Sequence, residues 1–413
     1  MYLGIKMHNI FIADKPFTFE WLTNPANEGA QTVLRRAKEG GEYPECGCSK
    51  RRPKMYIAKK KASGKYYLAR MPDTAGTHQL DCLLSKETES NKSGGEATEA
   101  ITKDSNGIRI TLDGELSHRT SGPNEVSESS YTNSRVSKNS ITLLGLLELL
   151  WEQSRFNFWY PNRKYPRTWS TVKRAIEEQA SEHKIKVSGK SLSKILYLPV
   201  PFNKNNAQDH ETLNAAALTL VTKSKDDGFI AIGELKECLD RNGSTLIKLK
   251  HAGNQTAFWM HKSLADRVKN SFANEIGDLG NENIKVIAIM IGYKPANSLS
   301  VSAIGLMRVT PEYIPVDSSY EAQVVEKLVA ENRKFRKPLR YDSEDEVLPD
   351  FELLDCERDC IPMEVFGMKG NEEYDLRKAE KIEIYNKQYG HIGWWSWDAA
   401  NNLPIPEFIP QKK

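Results

Sequence analysis

The chain has 413 residues, 39% of them hydrophobic and 27% charged, and its 58 Lys+Arg against 55 Asp+Glu leave a net charge of +3. That length exceeds one ordinary core and implies several domains, and the apolar content excludes global disorder. A near-neutral balance neither demands nor excludes a polyanionic partner, so the local distribution of charge decides.

The longest apolar stretches, Ile141 to Trp151 and Ile284 to Tyr293, are interrupted by Glu148 and Lys285. Neither approaches the roughly 20 residues that span a bilayer. The N-terminus has no charged segment leading into an apolar run and a small-residue cleavage site. The expectation is a cytoplasmic protein with no membrane partner. Six cysteines are too few for a disulfide framework, and in a reducing compartment a close cysteine group more often binds metal.

Residues 1–85 carry the first such group. Cys46 and Cys48 lie in PECGCSK, and His78 and Cys82 in THQLDC. Between them, KMYIAKKK and KYYLARMP are strand-like runs around Ala62-Ser63-Gly64, and a hairpin there would bring both pairs together. Three sulfurs and one imidazole complete a tetrahedral Zn²⁺ with no open position, which marks a structural site; the plain alternative is incidental thiols and a surface histidine. From Lys50 to Arg70 there are nine Lys/Arg and no acid, with Tyr56, Tyr66 and Tyr67 interleaved. That pattern suits a phosphate backbone, or equally a solvated strand pair.

Residues 86–140 are dominated by Ser, Thr, Asn, Gly and Glu, apart from a brief strand-like GIRITLDGEL, and are expected to be a flexible linker. Residues 141–310 form a mixed α/β middle region. LLGLLELLWEQ and TWSTVKRAIEEQASEH have helical spacing, strand-like runs flank Asn242-Gly243, HKSLADRVKNSFANEI is helical, and NIKVIAIMIGY and SVSAIGLMRVT are strands. From Arg155 to Arg174 there are six basic and six aromatic residues with no acid. Most of those aromatics are expected to pack in a core rather than to stack on unpaired bases.

Residues 311–413 are the most informative. SSYEAQVVEKLVAENRKF is an amphipathic helix with Val324, Val325, Leu328 and Val329 on one stripe and Ser318 or Ser319 as cap. KPLRY, EVLPDFELLD and CIPMEVFGM are strands, EEYDLRKAEKIEIYNKQYG is a helix ending at Gly390, and HIGWWSWDA is a last strand. Asp350 follows Pro349 on the second strand, and Glu364 lies on the third. Two carboxylates side by side there are suited to Mg²⁺, which takes hard oxygen ligands.

This element order and the PD…E spacing resemble the PD-(D/E)XK nuclease fold of restriction endonucleases and repair nucleases. The resemblance implies Asp350 and Glu364 as ligands of Mg²⁺ or Mn²⁺, joined by the carbonyl of Val365, with Glu321 as a further metal or water ligand. The family's lysine is absent two positions after Glu364, where Phe366 stands. Some members carry that cation on the following helix, and here Tyr374, Arg377, Lys381 and Tyr385 share one helical face. Lys381 is the first choice for the migrated cation and Arg377 the second. Over most of its length the chain is also similar to an uncharacterised family of conjugative-plasmid and integrative-element proteins marked by an N-terminal cysteine trio, here Cys46, Cys48 and Cys82. That likeness implies other mobile-element proteins as partners and no mechanism.

The expectation is thus a multidomain α/β protein. It has a zinc-bound β-hairpin module, a mixed middle region and a restriction-endonuclease-like αβββαβ domain, acting as a metal-dependent DNA endonuclease of a mobile element. Nothing in the residues separates DNA from RNA as substrate. The alternative is a DNA-binding accessory factor that keeps the nuclease fold as a scaffold, and Phe366 favours it.

Overall fold

The computed structural model describes residues 8–412 apart from 25–26, 50–51, 60–63, 71–81, 83–99, 105–106, 113–115, 117–140, 162–165, 203, 205–206, 224–227, 296–297, 340–347, 359, 369–371 and 402. Near the N-terminus two short strands, β1 (Ile10–Ile12) and β2 (Lys15–Phe17), are joined through Ala13 and Asp14 at positive φ. Helices α1 (Phe19–Thr23) and α2 (Glu28–Glu39) follow, with Thr18 and Asn27 capping them by accepting from the Trp21 and Ala30 N–H groups. Strand β3 (Glu45–Cys46) pairs with β1, and β4 (Met55–Lys59) with β5 (Tyr66–Arg70) as the expected hairpin. Met55, Ile57 and Leu68 turn inward to join Ile10, Leu22 and Leu34 in a small core. Gln31 of α2 bonds both the N–H and the C=O of Tyr66, which fixes the hairpin on the helix.

Strands β6 (Ile101–Asp104) and β7 (Gly107–Ile110) lie inside the stretch expected to be a linker. Ile108 and Ile110, two apart, both enter the main hydrophobic core, so this segment is folded into the middle region. Next come α3 (Leu143–Gln153), β8 (Phe158–Trp159), α4 (Trp169–Glu182), β9 (Lys186–Val187) and β10 (Lys190–Ser191). β7 runs parallel to β9, giving a four-stranded sheet in the order β10-β9-β7-β6.

After α5 (Leu192–Ile195), β11 (Leu196–Tyr197) and α6 (His210–Val221) comes the largest sheet. It is built from β12 (Phe229–Arg241), β13 (Ser244–Leu249), β14 (Phe258–His261), β15 (Lys285–Tyr293) and β16 (Leu299–Val309), with α7 (Lys262–Ser271) and α8 (Ala273–Gly277) inserted before β15. Its order is β11-β12-β13-β14-β16-β15, and β12 also pairs with β15, so five strands close on themselves. The β12–β13 turn is the expected Asn242-Gly243, with φ of 48° and 82°. Alternate residues of β12 and β15 enter two different cores: Ile230, Ile232, Ile287 and Ile289 one, Phe229, Ala231, Val286 and Ala288 the other. Burial on both faces is why these strands are continuous apolar runs in the sequence.

The C-terminal region contains α9 (Ser319–Ala330), β17 (Phe335–Arg336), β18 (Phe351–Leu353), β19 (Ile361–Phe366), α10 (Glu372–Tyr389) and β20 (Trp395–Asp398). Helix, three strands, helix, strand is the expected order. The first strand sits at Phe335–Arg336, just ahead of the KPLRY assigned from sequence. The sheet order is β20-β19-β18-β17-β8, with β19 and β20 parallel and the other pairs antiparallel. Its last strand, β8, comes from residues 158–159, so residues 311–413 do not build this sheet alone. Val324, Val325 and Leu328 of α9 pack with Phe335, Phe351, Leu353 and Met363. Strand alternation sends Met363 into that cluster and Glu364 the other way, to side chains of α10.

Candidate functional site

Glu364 lies mid-strand on β19 and is 1% exposed. Its two carboxylate oxygens accept from Lys381 Nζ at 3.0 and 2.9 Å, and Oε1 also accepts from the Tyr385 hydroxyl at 2.8 Å. Lys381 and Tyr385 are four residues apart on α10, which puts them on one face. Asp350 stands at the mouth of β18, where its N–H donates to the Met363 carbonyl at 3.0 Å and its Oδ2 accepts from the Val365 N–H at 2.8 Å. The hairpin register therefore holds Asp350 beside the strand that carries Glu364. Tyr374, earlier on α10, closes the end of β19: its hydroxyl accepts from the Gly367 N–H at 3.1 Å.

Glu321 sits in the first turn of α9, where its N–H donates to Ser318 Oγ at 3.1 Å. It is 5% exposed, and its Oε2 accepts from the Asp317 N–H at 3.0 Å and from Lys337 Nζ at 2.7 Å. Lys337, itself 4% exposed, also donates to Asp317 Oδ2 at 2.8 Å. Burial, with the Asp350 charge added, pushes the Glu364 carboxyl up to about 7, although Lys381 and Tyr385 pull against it. Burial likewise pushes Glu321 up to about 7, with Asp317 and Asp350 adding to the rise and Lys337 opposing it. Burial alone would lower Lys337, but Asp317, Glu321 and Asp350 outweigh it and hold the ammonium firmly charged. The two rises have different main causes, burial for Glu321 and the surrounding carboxylates for Lys337, with Asp317 and Asp350 adding to both.

The structure thus brings Asp350, Glu364 and Lys381 into one neighbourhood, as the sequence predicts. Glu321 is there too, but Lys337 holds its carboxylate. Val365 meets Asp350 through its N–H. Arg377 is on α10, and its side chain lies outside the described residues. Phe366 is 4% exposed, with Lys378 Nζ 4.8 Å from its ring centroid and paired to Asp398 at 2.8 Å. Sequence reasoning missed Lys337. It is one of four basic residues in RKFRK, and no local pattern says which of them, Arg333 and Lys337, are buried and which, Lys334 and Arg336, are only half-buried.

A second centre lies in the N-terminal module. Cys46, Cys48 and Cys82 are buried, and their sulfurs all lie within 4.8 Å of one another. Among the described residues they alone form so tight a group of three or more potential ligands; the carboxylates of the acidic site do not. His78 lies outside the described residues. Of the basic hairpin, Lys59 lies 5.5 Å from the Tyr66 ring, while Lys60 and Lys61 are outside the described residues. The aromatics after Arg155 pack as expected: Phe156, Phe158 and Trp169 are buried, and Arg167 is buried over them, donating to the carbonyls of Phe156 at 2.8 Å and Glu312 at 3.2 Å. No helix among the described residues is long and apolar enough to cross a membrane.

Among known protein families, one described as "Protein of unknown function (DUF1173)" matches residues 20–400. No curated protein and no solved structure matches.

Proposed function

The chain belongs to the DUF1173 family, whose description names no activity, and from its acidic site we propose that it is a Mg²⁺- or Mn²⁺-dependent nuclease acting on DNA, an endonuclease of the PD-(D/E)XK kind. One observation carries this proposal. In one neighbourhood four carboxylates, Glu321 and Glu364 buried, Asp350 half-buried and Asp317 exposed at its edge, face two lysines, Lys337 and Lys381. Among the described residues two negative charges are left over, and a hard dication would offset that excess. Asp350 and Glu364 supply the oxygen donors such an ion prefers, so the donor set fits it.

When bound, the ion supplies an acidified water and offsets charge on a phosphate oxygen. The remaining work falls to this chain's own residues. Tyr385 and Lys381 hold Glu364 in one orientation, and the Val365 N–H does the same for Asp350. Lys337 neutralises Glu321, leaving Asp350 and Glu364 as the metal pair. Lys381, paired to Glu364 at 2.9 Å, would steady the charge that develops on the phosphate. The basic β4–β5 hairpin would contribute phosphate contacts to the nucleic acid.

A second proposal is a non-catalytic DNA-binding factor, because an apolar ring, Phe366 beneath Lys378, fills the position where the PD-(D/E)XK pattern has its lysine. The test is a cleavage assay in Mg²⁺ or Mn²⁺ on single-stranded, duplex and branched DNA, with RNA alongside and Glu364→Ala as the control. Metal-dependent cutting of DNA that Glu364→Ala abolishes supports the enzyme. Binding without cutting by the wild type supports the accessory factor, and cutting of RNA alone moves the substrate.

A further inference from the structure

The geometry points to a second metal site, separate from the acidic one: Cys46, Cys48 and Cys82 hold one tetrahedral divalent ion of the zinc type, and that ion fastens the N-terminal module. The three residues are each 4% exposed or less, and two of them lie 36 residues apart in the chain. Ligands about 2.3 Å from one zinc at tetrahedral angles stand about 3.8 Å from each other. The Cys46 and Cys82 sulfurs are 3.8 Å apart. A disulfide needs about 2.0 Å and uses only two of three thiols. An iron–sulfur cluster gives each iron at most two cysteines, and so spreads three of them further than ligands that share one ion.

The backbone is arranged for the same purpose. Gly47, between the first two cysteines, donates its N–H to the Asn9 carbonyl at 2.8 Å. A Cβ at Gly47 would stand 2.8 Å from the Phe11 ring and 2.9 Å from that carbonyl oxygen. The CxC loop is therefore laid flat on β1, and only glycine lets it lie there. Cys46 is further tied down by donating its N–H to the Pro53 carbonyl at 2.8 Å.

The need for a fastener follows from size. Among the described residues, the buried core of this module comprises Ile10, Ile12, Leu22, Leu34, Ala37, Met55, Ile57, Leu68 and the three cysteines. So small a core is marginal by itself, and a structural ion adds folding free energy directly.

The test uses the full chain purified without chelator. Elemental analysis is expected to find one zinc per chain, released when a mercurial titrates the thiols. Cys46→Ser and Cys82→Ser each lower it to less than about a tenth of an equivalent, and Cys238→Ser leaves it unchanged. In case the serine variants fail to fold, the wild type is stripped and reloaded with Co²⁺ alone. A near-ultraviolet sulfur-to-cobalt band of multi-thiolate intensity, with tetrahedral visible bands, supports the site. Folded protein that lacks metal as purified and shows no such band, or zinc that survives in a Cys46→Ser/Cys82→Ser double variant, overturns it. Iron in place of zinc overturns the class of ion.

Discussion

Replacing Lys337 by methionine tests the buried charge balance on which the acidic site rests. The ammonium lies 2.7 Å from Glu321 Oε2 and 2.8 Å from Asp317 Oδ2. At an effective dielectric of about 20, the first contact alone is worth about 6 kcal/mol. Burying both ions consumes several kcal/mol of that, and removing one member of such a pair usually costs about 3–5 kcal/mol. Methionine keeps the apolar volume, so the loss reports charge. The Glu321 carboxyl is already pushed up to about 7, so taking up a proton near neutrality relieves part of the damage. The expected cost of Lys337→Met is therefore near the low end, about 3 kcal/mol at pH 7, and smaller at pH 5. Lys337→Met/Glu321→Gln should recover most of it, since no buried charge is then left without a partner. Urea denaturation of the four proteins gives the coupling, expected at about 2–3 kcal/mol. Additivity within about 0.5 kcal/mol would refute the pairing.

Glu364 gives a pH signature. Its carboxyl is raised to about 7 from an ordinary 4.5, so between those values the folded state binds more protons than the unfolded one. Stability then falls as pH rises through that window, by up to about 3 kcal/mol; melting curves at pH 5 and 8 should show less of this fall in Glu364→Gln, and added Mg²⁺ should restore wild-type stability at pH 8. Gly47→Ala should destabilise the N-terminal module and speed zinc loss, measured by mercurial release; unchanged release would mean that β1 does not press on the loop. Neutralising Lys59, Lys60 and Lys61 should weaken DNA binding and flatten its dependence on salt, by about 0.9 in log–log slope per lost phosphate contact. An unchanged slope would make that stretch ordinary solvated surface.

Much of the framework was legible where the signal is local. The Asn242-Gly243 turn, the Ser318 cap of α9, the apolar runs of β12 and β15 and the β4–β5 hairpin all follow from neighbouring residues. What escaped depends on distant partners. β8 is two residues long and gains its identity only by pairing with β17, so nothing near Phe158 announces it. β7 is the strand-like GIRI of the sequence, but its partner β6 escaped, and that β7 joins a sheet with β9, far along the chain, leaves no local mark. In the acidic site, Asp350 and Glu364 stood out as carboxylates on adjacent strands, and the resemblance to the nuclease fold directed attention to Lys381 on the next helix; the structure places the three close together. Lys337 leaves no such mark, because burial and not sequence makes it special.

The most direct measurement of the central claim is single-turnover cleavage of DNA in Mg²⁺ by wild type, Asp350→Asn and Lys381→Ala, with binding followed in parallel. Lys387→Ala, near the end of α10, serves as the control. If the site is a nuclease centre, the wild type cuts and Asp350→Asn does not. Lys381→Ala binds normally but cuts about 10²–10³ more slowly, the usual effect of losing a well-placed charge-stabilising group, and Lys387→Ala cuts like wild type. A wild type that binds DNA but leaves it intact in both Mg²⁺ and Mn²⁺, or an Asp350→Asn variant that cuts as fast as wild type, would contradict the account.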